Sequence, residues 1–134
     1  MNRATLLFVS LFMGCSIEID SRQIKPLSTE YLNDEKLLNA VIKVESNYNE
    51  HAYNEFTGAV GLMQLTPIVY SGVCGLTKEQ AFERDRNISC GDLYLHSLLK
   101  KYGGNVEKAL TYYNNGHIVR NKNYAKKVMK GQNE

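Results

Sequence analysis

Tryptophan is absent from this chain of 134 residues, proline occurs only twice, and the formal net charge at pH 7 is only +2. The small net charge lacks the basic footprint of a nucleic-acid-binding domain, so we expect no nucleic-acid partner. No apolar run reaches the about 20 residues that a transmembrane helix needs. The length suits one domain with one hydrophobic core.

The N-terminus has the features of an export signal. Arg3 supplies a short positive start, and residues 4–13 (ATLLFVSLFM) form an apolar segment of signal-peptide length. The small residue Gly14 directly before Cys15 resembles a bacterial lipobox, in which the cysteine is lipidated and becomes the first mature residue. Phe12 departs from the leucine that is usual at its position. The alternative is an ordinary cleaved signal with Cys15 in or near the cut region.

These features predict three segments. We expect residues 1–15 to be a signal peptide of lipoprotein type and residues 16–30, polar and irregular, to be a tether. Residues 31–134 would then form the folded domain.

The three cysteines fit an exported protein. If Cys15 carries lipid, Cys74 and Cys90 remain as a pair, and two thiols in an oxidising compartment tend to form a disulfide. Such a bridge would close a loop of about 15 residues and stabilise the fold by about 3 kcal/mol in the chain-entropy model. A metal site made by Cys74, Cys90 and His96 fits no standard zinc spacing, so we expect no metal.

Apolar periodicity predicts a mostly α-helical domain of about five helices. Leu38, Val41, Ile42 and Glu45 recur at i, i+3, i+4 and i+7, which places them on one face of a first helix beginning near Ser28 or Asn33. No alternating strand pattern is evident. The other helices are expected after a capping box at Thr77–Gln80 and after caps at Asn87, Asn105 and Asn121. Pro67 should stop any helix soon after the apolar segment 58–65.

Glu45 is the leading candidate for chemistry. A carboxylate at the end of an apolar helix face is costly unless it has a role, and partial burial would raise its pKa. A raised pKa suits a general acid that works near neutral pH. The alternative is a glutamate at a frayed helix end that turns back to solvent.

A serine nucleophile is the weaker candidate. Ser46 would need a histidine as its base, and His51, His96 and His117 are scattered along the sequence. We therefore expect no Ser-His-Asp triad.

Four further motifs follow Glu45-Ser46 in a fixed order, and together they resemble the catalytic core of the lytic transglycosylases of the soluble-lytic-transglycosylase (SLT) type. The resemblance covers residues 35–130. The motifs are Gly58-Ala59-x-Gly61-Leu62-Met63-Gln64, Asn87-Ile88-x-x-Gly91-x-x-Tyr94-Leu95, Ala109-Leu110-x-x-Tyr113-Asn114-x-Gly116 and Tyr124-Ala125-x-x-Val128.

The resemblance implies a lysozyme-like α fold with a substrate cleft, and peptidoglycan as the substrate. It implies cleavage of the β-1,4 bond between N-acetylmuramic acid and N-acetylglucosamine, with formation of 1,6-anhydro-N-acetylmuramic acid and no cofactor. Glu45 would act first as acid and then as base. Ordinary glycosidases use two carboxylates, but here the nucleophile is a hydroxyl of the sugar itself. No second carboxylate is required, although Glu55 and Asp85 remain candidates.

The resemblance also assigns roles to residues around Glu45. Met63 and Gln64 match residues that line the sugar cleft, with core packing as the alternative for Met63. Tyr113 matches a tyrosine whose hydroxyl points at the catalytic glutamate and orients it. Asn114 matches a neighbour that supports the cleft by hydrogen bonds.

Two polar residues near Glu45 have less certain counterparts. Many relatives carry a serine that touches the substrate acetamido group where this chain has Asn54. Asn can donate a similar hydrogen bond. Ser46 is expected to satisfy backbone groups near the glutamate.

The resulting hypothesis is an exported, periplasmic enzyme, anchored to the outer membrane only through a lipid on Cys15. Its expected partners are peptidoglycan glycan strands and, given its small size, a secretion, conjugation or pilus system for which it opens the wall. Two alternatives remain: a lysozyme-type muramidase that hydrolyses the same bond, and a non-catalytic glycan-binding assembly factor. The mass of the product separates the two enzymes, because the anhydro product lacks one water.

Overall fold

The computed structural model describes the backbone of residues 7–11, 15–19 and 30–133 and the side-chain surroundings of residues 35–133. The chain divides into two compact units, Met1–Asn33 and Asp34–Glu134. Much of the predicted signal peptide and most of the predicted tether lie outside the described residues. Both segments, and the lipid on Cys15, therefore stay predictions.

The first unit contains an antiparallel pair of strands. β1 (Leu7–Leu11) pairs with β2 (Cys15–Ile19) in a register that sets Leu7 opposite Ile19. The prediction that the chain has no strand pattern was wrong for β2. Apolar residues at 15, 17 and 19 alternate there with polar residues at 16 and 18, which is the period of a strand.

The second unit is helical in its regular elements, which confirms the mostly α prediction. Between α1 and α2 lie a loop, residues 47–67, and a short π-helix, Ile68–Val73. Among the described residues, no helix is both long and apolar enough to cross a membrane. The five α-helices are α1 (Glu30–Ser46), α2 (Lys78–Phe82), α3 (Arg84–Lys101), α4 (Val106–Asn115) and α5 (Asn123–Gly131).

Local polar side chains set two of the helix starts. Thr77 and Gln80 form the expected capping box of α2, and the side chain of Asn105 accepts from the backbone N–H of Lys108 at the start of α4. The prediction for Asn87 was wrong, because α3 begins three residues earlier and buries Asn87 in its first turn. Pro67 precedes the π-helix instead of ending a helix, since a proline at a helix start loses no hydrogen bond.

The core brings the helices together around the loop. Its fully buried side chains include Val41 of α1, Leu95 of α3, Leu110 of α4 and Val128 of α5. From the loop, Val60, Met63 and Leu65 are equally buried. The glycine-rich segment is therefore part of the core, and its backbone cannot shift without disturbing the packing.

Candidate active site

Glu45 lies in the last turn of α1 and is largely buried. The hydroxyl of Tyr124, which α5 carries, donates a hydrogen bond of 2.5 Å to its Oε1. Burial raises the pKa of Glu45 to about 7, while the Tyr124 hydrogen bond and the positive charge of Lys127 act in the opposite direction. At neutral pH, Glu45 can therefore both donate and accept a proton.

The tyrosine that contacts Glu45 is not the one that the sequence comparison indicated. The hydroxyl of Tyr113 donates to the backbone carbonyl of Met63 at 2.8 Å, whereas that of Tyr124 donates to Glu45. Burial, followed by the charge of Glu45, raises the pKa of the Tyr113 phenol well above the usual value. Tyr113 therefore still lies near Glu45. Burial and Glu45 also raise the pKa of Tyr124, so both phenols stay protonated and act as donors.

Asn87 fixes the backbone of the Gly58–Gln64 motif through its side-chain hydrogen bonds. Its side-chain Nδ2 donates to the carbonyls of Val60 at 3.0 Å and Ala81 at 2.7 Å, and its Oδ1 accepts from the N–H of Met63 at 2.9 Å. Gly61 has a φ of +74°, and a Cβ there would lie 2.3 Å from Nδ2 of Asn87. The glycine is thus required both by the backbone conformation and by the close approach of the amide.

Met63 does not line a cleft with its side chain. The side chain is fully buried, and a Cβ on Gly91 of α3 would lie 2.3 Å from its sulfur. The core-packing alternative therefore describes Met63 correctly. Met63 contributes its backbone carbonyl to the site, which accepts the hydrogen bond from the Tyr113 hydroxyl.

Gln64 is the polar residue of the motif that remains partly exposed. Its backbone has a φ of +48°, uncommon for a residue with a side chain. Its Nε2 donates to the carbonyls of Ala52 at 3.1 Å and Gly61 at 2.9 Å. These bonds fix the amide and leave its oxygen to accept a hydrogen bond from a ligand. A cavity of about 20 Å³ lies between Gln64, Tyr94 and Tyr113.

Ser46 and the two residues after it close α1. The hydroxyl of Ser46 donates to the carbonyl of Ile42 at 3.1 Å, which is the local backbone role expected for it. Asn47 and Tyr48 follow with φ values of +49° and +64°. Two consecutive left-handed residues turn the chain sharply away from the helix directly after Glu45.

Asn54 and Asn114 are both exposed. Oδ1 of Asn54 accepts from the backbone N–H groups of Phe56 at 3.0 Å and Thr57 at 3.2 Å, which leaves its amide N–H groups to donate outward. Asn114 lies near the end of α4, and its side chain has no hydrogen-bond partner among the described residues. The predicted supporting hydrogen bonds of Asn114 are thus not present within the domain.

The remaining ionisable candidates lie in other surroundings. Glu55 is exposed in the loop, and Asp85 is exposed at the start of α3. His96 pairs with Asp92 at 3.0 Å, one turn earlier on α3. Within the described ranges, no group of three or more His, Cys, Asp or Glu side chains is arranged to hold a metal ion.

A disulfide lies behind the loop. The sulfurs of Cys74 and Cys90 are 1.98 Å apart, and the bond joins the end of the π-helix to the middle of α3. Asn87 and Gly91 flank Cys90 on the same helix. The bridge therefore braces the stretch of α3 that supports Gly61 and Met63.

A helical domain that holds one largely buried carboxylate at the end of a helix, beside a loop fixed by glycine and asparagine, defines the lysozyme-like class. The model of the transglycosylase SLT domain family matches residues 23–134, and the chain belongs to that family.

One curated relative aligns with most of this chain. It is 29% identical over 119 residues to the membrane-bound lytic murein transglycosylase C of Actinobacillus succinogenes, an alignment covering 79% of this chain and 33% of that protein. The chain thus spans about a third of that relative's length.

Two solved structures share the fold. An inactive glutamate-to-glutamine mutant of lytic transglycosylase Slt from Pseudomonas aeruginosa superposes with a TM-score of 0.61 at 21% identity, over 80% of this chain and 24% of that one. The 70-kDa soluble lytic transglycosylase of Escherichia coli gives 0.58 at 20% identity, over 81% and 19%. The expected lysozyme-like fold is confirmed.

Proposed function

We propose that this chain is a peptidoglycan lytic transglycosylase that cleaves the β-1,4 bond between N-acetylmuramic acid and N-acetylglucosamine. Membership of the SLT family supports peptidoglycan as the class of substrate. The observation that carries the proposal is Glu45, a largely buried carboxyl with a pKa of about 7.

The reaction needs one group that gives a proton and takes one back. Glu45 protonates the glycosidic oxygen as the bond to C1 of the muramyl residue breaks. The C6 hydroxyl of the same sugar then bonds to C1 and passes its proton to the Glu45 carboxylate, which restores the acid and leaves a 1,6-anhydro ring. Because the nucleophile is part of the substrate, its effective concentration is high and no second carboxylate is needed.

The surrounding residues position this carboxyl and the substrate. Tyr124 holds Oε1 of Glu45 by its hydrogen bond, which directs the other oxygen to the substrate. The partly exposed amide of Gln64 and the exposed amides of Asn54 and Asn114 are proposed to contact the acetamido and hydroxyl groups of the sugar. Tyr113 holds the Met63 carbonyl by its hydrogen bond and places a protonated phenol near Glu45.

Digestion of purified sacculi followed by mass spectrometry tests this function. We expect the protein to release muropeptides that are one water lighter than hydrolysis products, and Glu45→Gln to abolish release. Glu55→Gln, which removes an exposed carboxylate from the same region, is the matched control and should retain activity. Hydrated products would establish a muramidase, and binding without any product would establish a glycan-binding factor; either outcome refutes the proposal.

We further propose that the protein is exported and lipid-anchored at Cys15 to the outer membrane, with residues 16–30 as a tether. The Cys74–Cys90 disulfide favours an oxidising compartment, and the curated relative is named membrane-bound. Palmitate labelling should be lost in Cys15→Ala, and labelling that persists in this variant would contradict the anchor. As its partner we propose a secretion, conjugation or pilus system that requires local opening of the wall.

A further inference from the structure

Four tyrosines on α3, directly after it and on α4 form a row of ring pairs that starts at Tyr113, the tyrosine bound to the Met63 carbonyl. The rings of Tyr113 and Tyr94 have centroids 5.4 Å apart, and those of Tyr112 and Tyr102 are 5.9 Å apart. Tyr112 and Tyr113 are consecutive residues of α4, so the two pairs adjoin, and Tyr102 directly follows α3. The row therefore runs from the pair Tyr113–Tyr94 to the C-terminal end of α3.

The outer part of this tyrosine row is accessible. Tyr113 and Tyr94 pack against the hydrophobic core, whereas Tyr112 and Tyr102 are partly exposed beyond it. The hydroxyls of Tyr94, Tyr102 and Tyr112 have no hydrogen-bond partner among the described residues. A surface of ring faces with free hydroxyls offers both kinds of contact that a pyranose can make, since its C–H face is apolar and its edge is polar.

Lys101 places a positive charge at the outer end of the row. Its Nζ lies 4.4 Å from the ring centroid of Tyr112 and 5.5 Å from that of Tyr102. Two rings thus hold the ammonium in place while the side chain remains exposed. An ammonium that is already positioned loses little freedom when it pairs with an anion.

We propose that this tyrosine row binds the glycan strand beyond the sugars at the reaction centre, and that Lys101 pairs with a carboxylate borne by a muramyl residue. The inference rests on the proposed function and adds that the enzyme recognises the length and the negative charge of the glycan strand. The carboxylate belongs to the stem peptide or, on a muramyl residue that bears no stem, to the lactyl group, and either one would meet Lys101 as an anion.

Binding to the full chain carrying Glu45→Gln tests the row without turnover. Adding Tyr112→Ala should weaken binding to long glycan strands about tenfold and leave binding to the shortest fragments unchanged. Adding Lys101→Gln should weaken binding to muramyl strands about three- to fivefold, with no effect on chitooligosaccharides, which lack the carboxylate. Lys100→Gln removes the same charge one residue away and should have no effect.

Two comparisons complete the experiment. Amidase cleaves the amide that joins the lactyl group to the stem, so it frees the lactyl carboxylate as it removes the stem. A Lys101→Gln effect confined to amidase-treated strands assigns the lactyl group, and one confined to stem-bearing strands assigns the stem. With Glu45 in place, Tyr112→Ala should raise KM for long strands and leave kcat unchanged. Equal Tyr112→Ala losses on short and long strands, or equal Lys101→Gln losses on chitooligosaccharides and muramyl strands, would overturn the inference.

The two proposals fail differently. If the protein with Glu45 in place releases no anhydro product, the proposed function fails. If it releases that product while Tyr112→Ala and Lys101→Gln behave like Lys100→Gln, only the tyrosine row fails. Circular dichroism melts of each variant show whether a loss comes from unfolding.

Discussion

Replacing Glu45 by glutamine should stabilise the protein at alkaline pH and leave its stability unchanged in acid. Above pH 7, the folded protein must keep an ionised carboxylate in a largely buried position next to two protonated phenols. Glutamine has nearly the same shape, and its carbonyl oxygen can still accept the hydrogen bond from Tyr124. The substitution therefore removes the charge and keeps the packing.

The magnitude follows from the pKa of Glu45. The carboxyl has a pKa of about 7 in the folded protein and 4.5 in an unperturbed state. Below pH 4.5 both states are protonated; between pH 4.5 and 7 the unfolded chain releases a proton that the folded protein keeps. The free energy of unfolding therefore falls as pH rises through this window, by about 3 kcal/mol in total, and is flat above it.

Urea unfolding of the wild type and Glu45→Gln at pH 4 and pH 8.5 measures this cost. We expect equal midpoints at pH 4 and, at pH 8.5, a glutamine variant more stable by about 2–3 kcal/mol. Glu55→Gln, at an exposed position, should follow the wild type at both values. A glutamine variant that is no more stable than the wild type at pH 8.5 would show that the carboxylate is well solvated, and would remove the basis for its role as an acid.

Three further substitutions probe the supports of the site. Tyr124→Phe should reduce product release about tenfold and move the alkaline limb of the pH–rate profile upward, because Glu45 must start protonated and the hydrogen bond that is removed lowers its pKa. Asn87→Ala should lower the free energy of unfolding by about 3 kcal/mol in urea titrations, since it leaves the buried Met63 N–H and Ala81 carbonyl without a partner. Reduction by dithiothreitol should lower Tm through the loss of about 3 kcal/mol, and a Cys74→Ser, Cys90→Ser double variant should not respond to the reductant.

Each of these expectations has a contradicting outcome. An unchanged pH profile in Tyr124→Phe would mean that the hydrogen bond to Glu45 is not maintained in solution. An Asn87→Ala variant as stable as an exposed control, Asn121→Ala, would mean that water replaces the lost amide. If thiol titration shows that dithiothreitol has reduced the cysteines and Tm is nevertheless unchanged, the Cys74–Cys90 disulfide does not stabilise the fold.

The parts of the fold that depend on neighbours in sequence were predictable. The apolar spacing of α1 placed Glu45 at the end of a buried helix face, and its pKa follows from that position. The caps at Thr77 and Asn105 act within three residues of themselves. In each case the interacting groups lie within one or two helical turns, so the sequence alone contains the geometry.

The partner of Glu45 could not be found in this way. Tyr124 lies 79 positions from Glu45, and Tyr113 belongs to a more conspicuous motif, so the sequence pattern favoured the wrong tyrosine. Which hydroxyl reaches the carboxylate depends on how α4 and α5 pack against α1, a tertiary result. The only available indication was the Tyr124-Ala125-x-x-Val128 segment, in which two buried residues place Tyr124 on the inward side of α5.

The packing of the Gly58–Gln64 motif changes its interpretation. Read as a sequence, it suggested a wall of side chains for the substrate, yet Met63 is fully buried against Gly91 and Gly61 lies against Asn87. The residues of two separate motifs thus fit into each other, and the fit holds the Met63 carbonyl where Tyr113 can donate to it. Because α3 supplies both Asn87 and Gly91, a change on α3 reaches the surroundings of Glu45 through backbone hydrogen bonds and without contacting the substrate. A Gly91→Ala substitution should therefore reduce activity as well as stability.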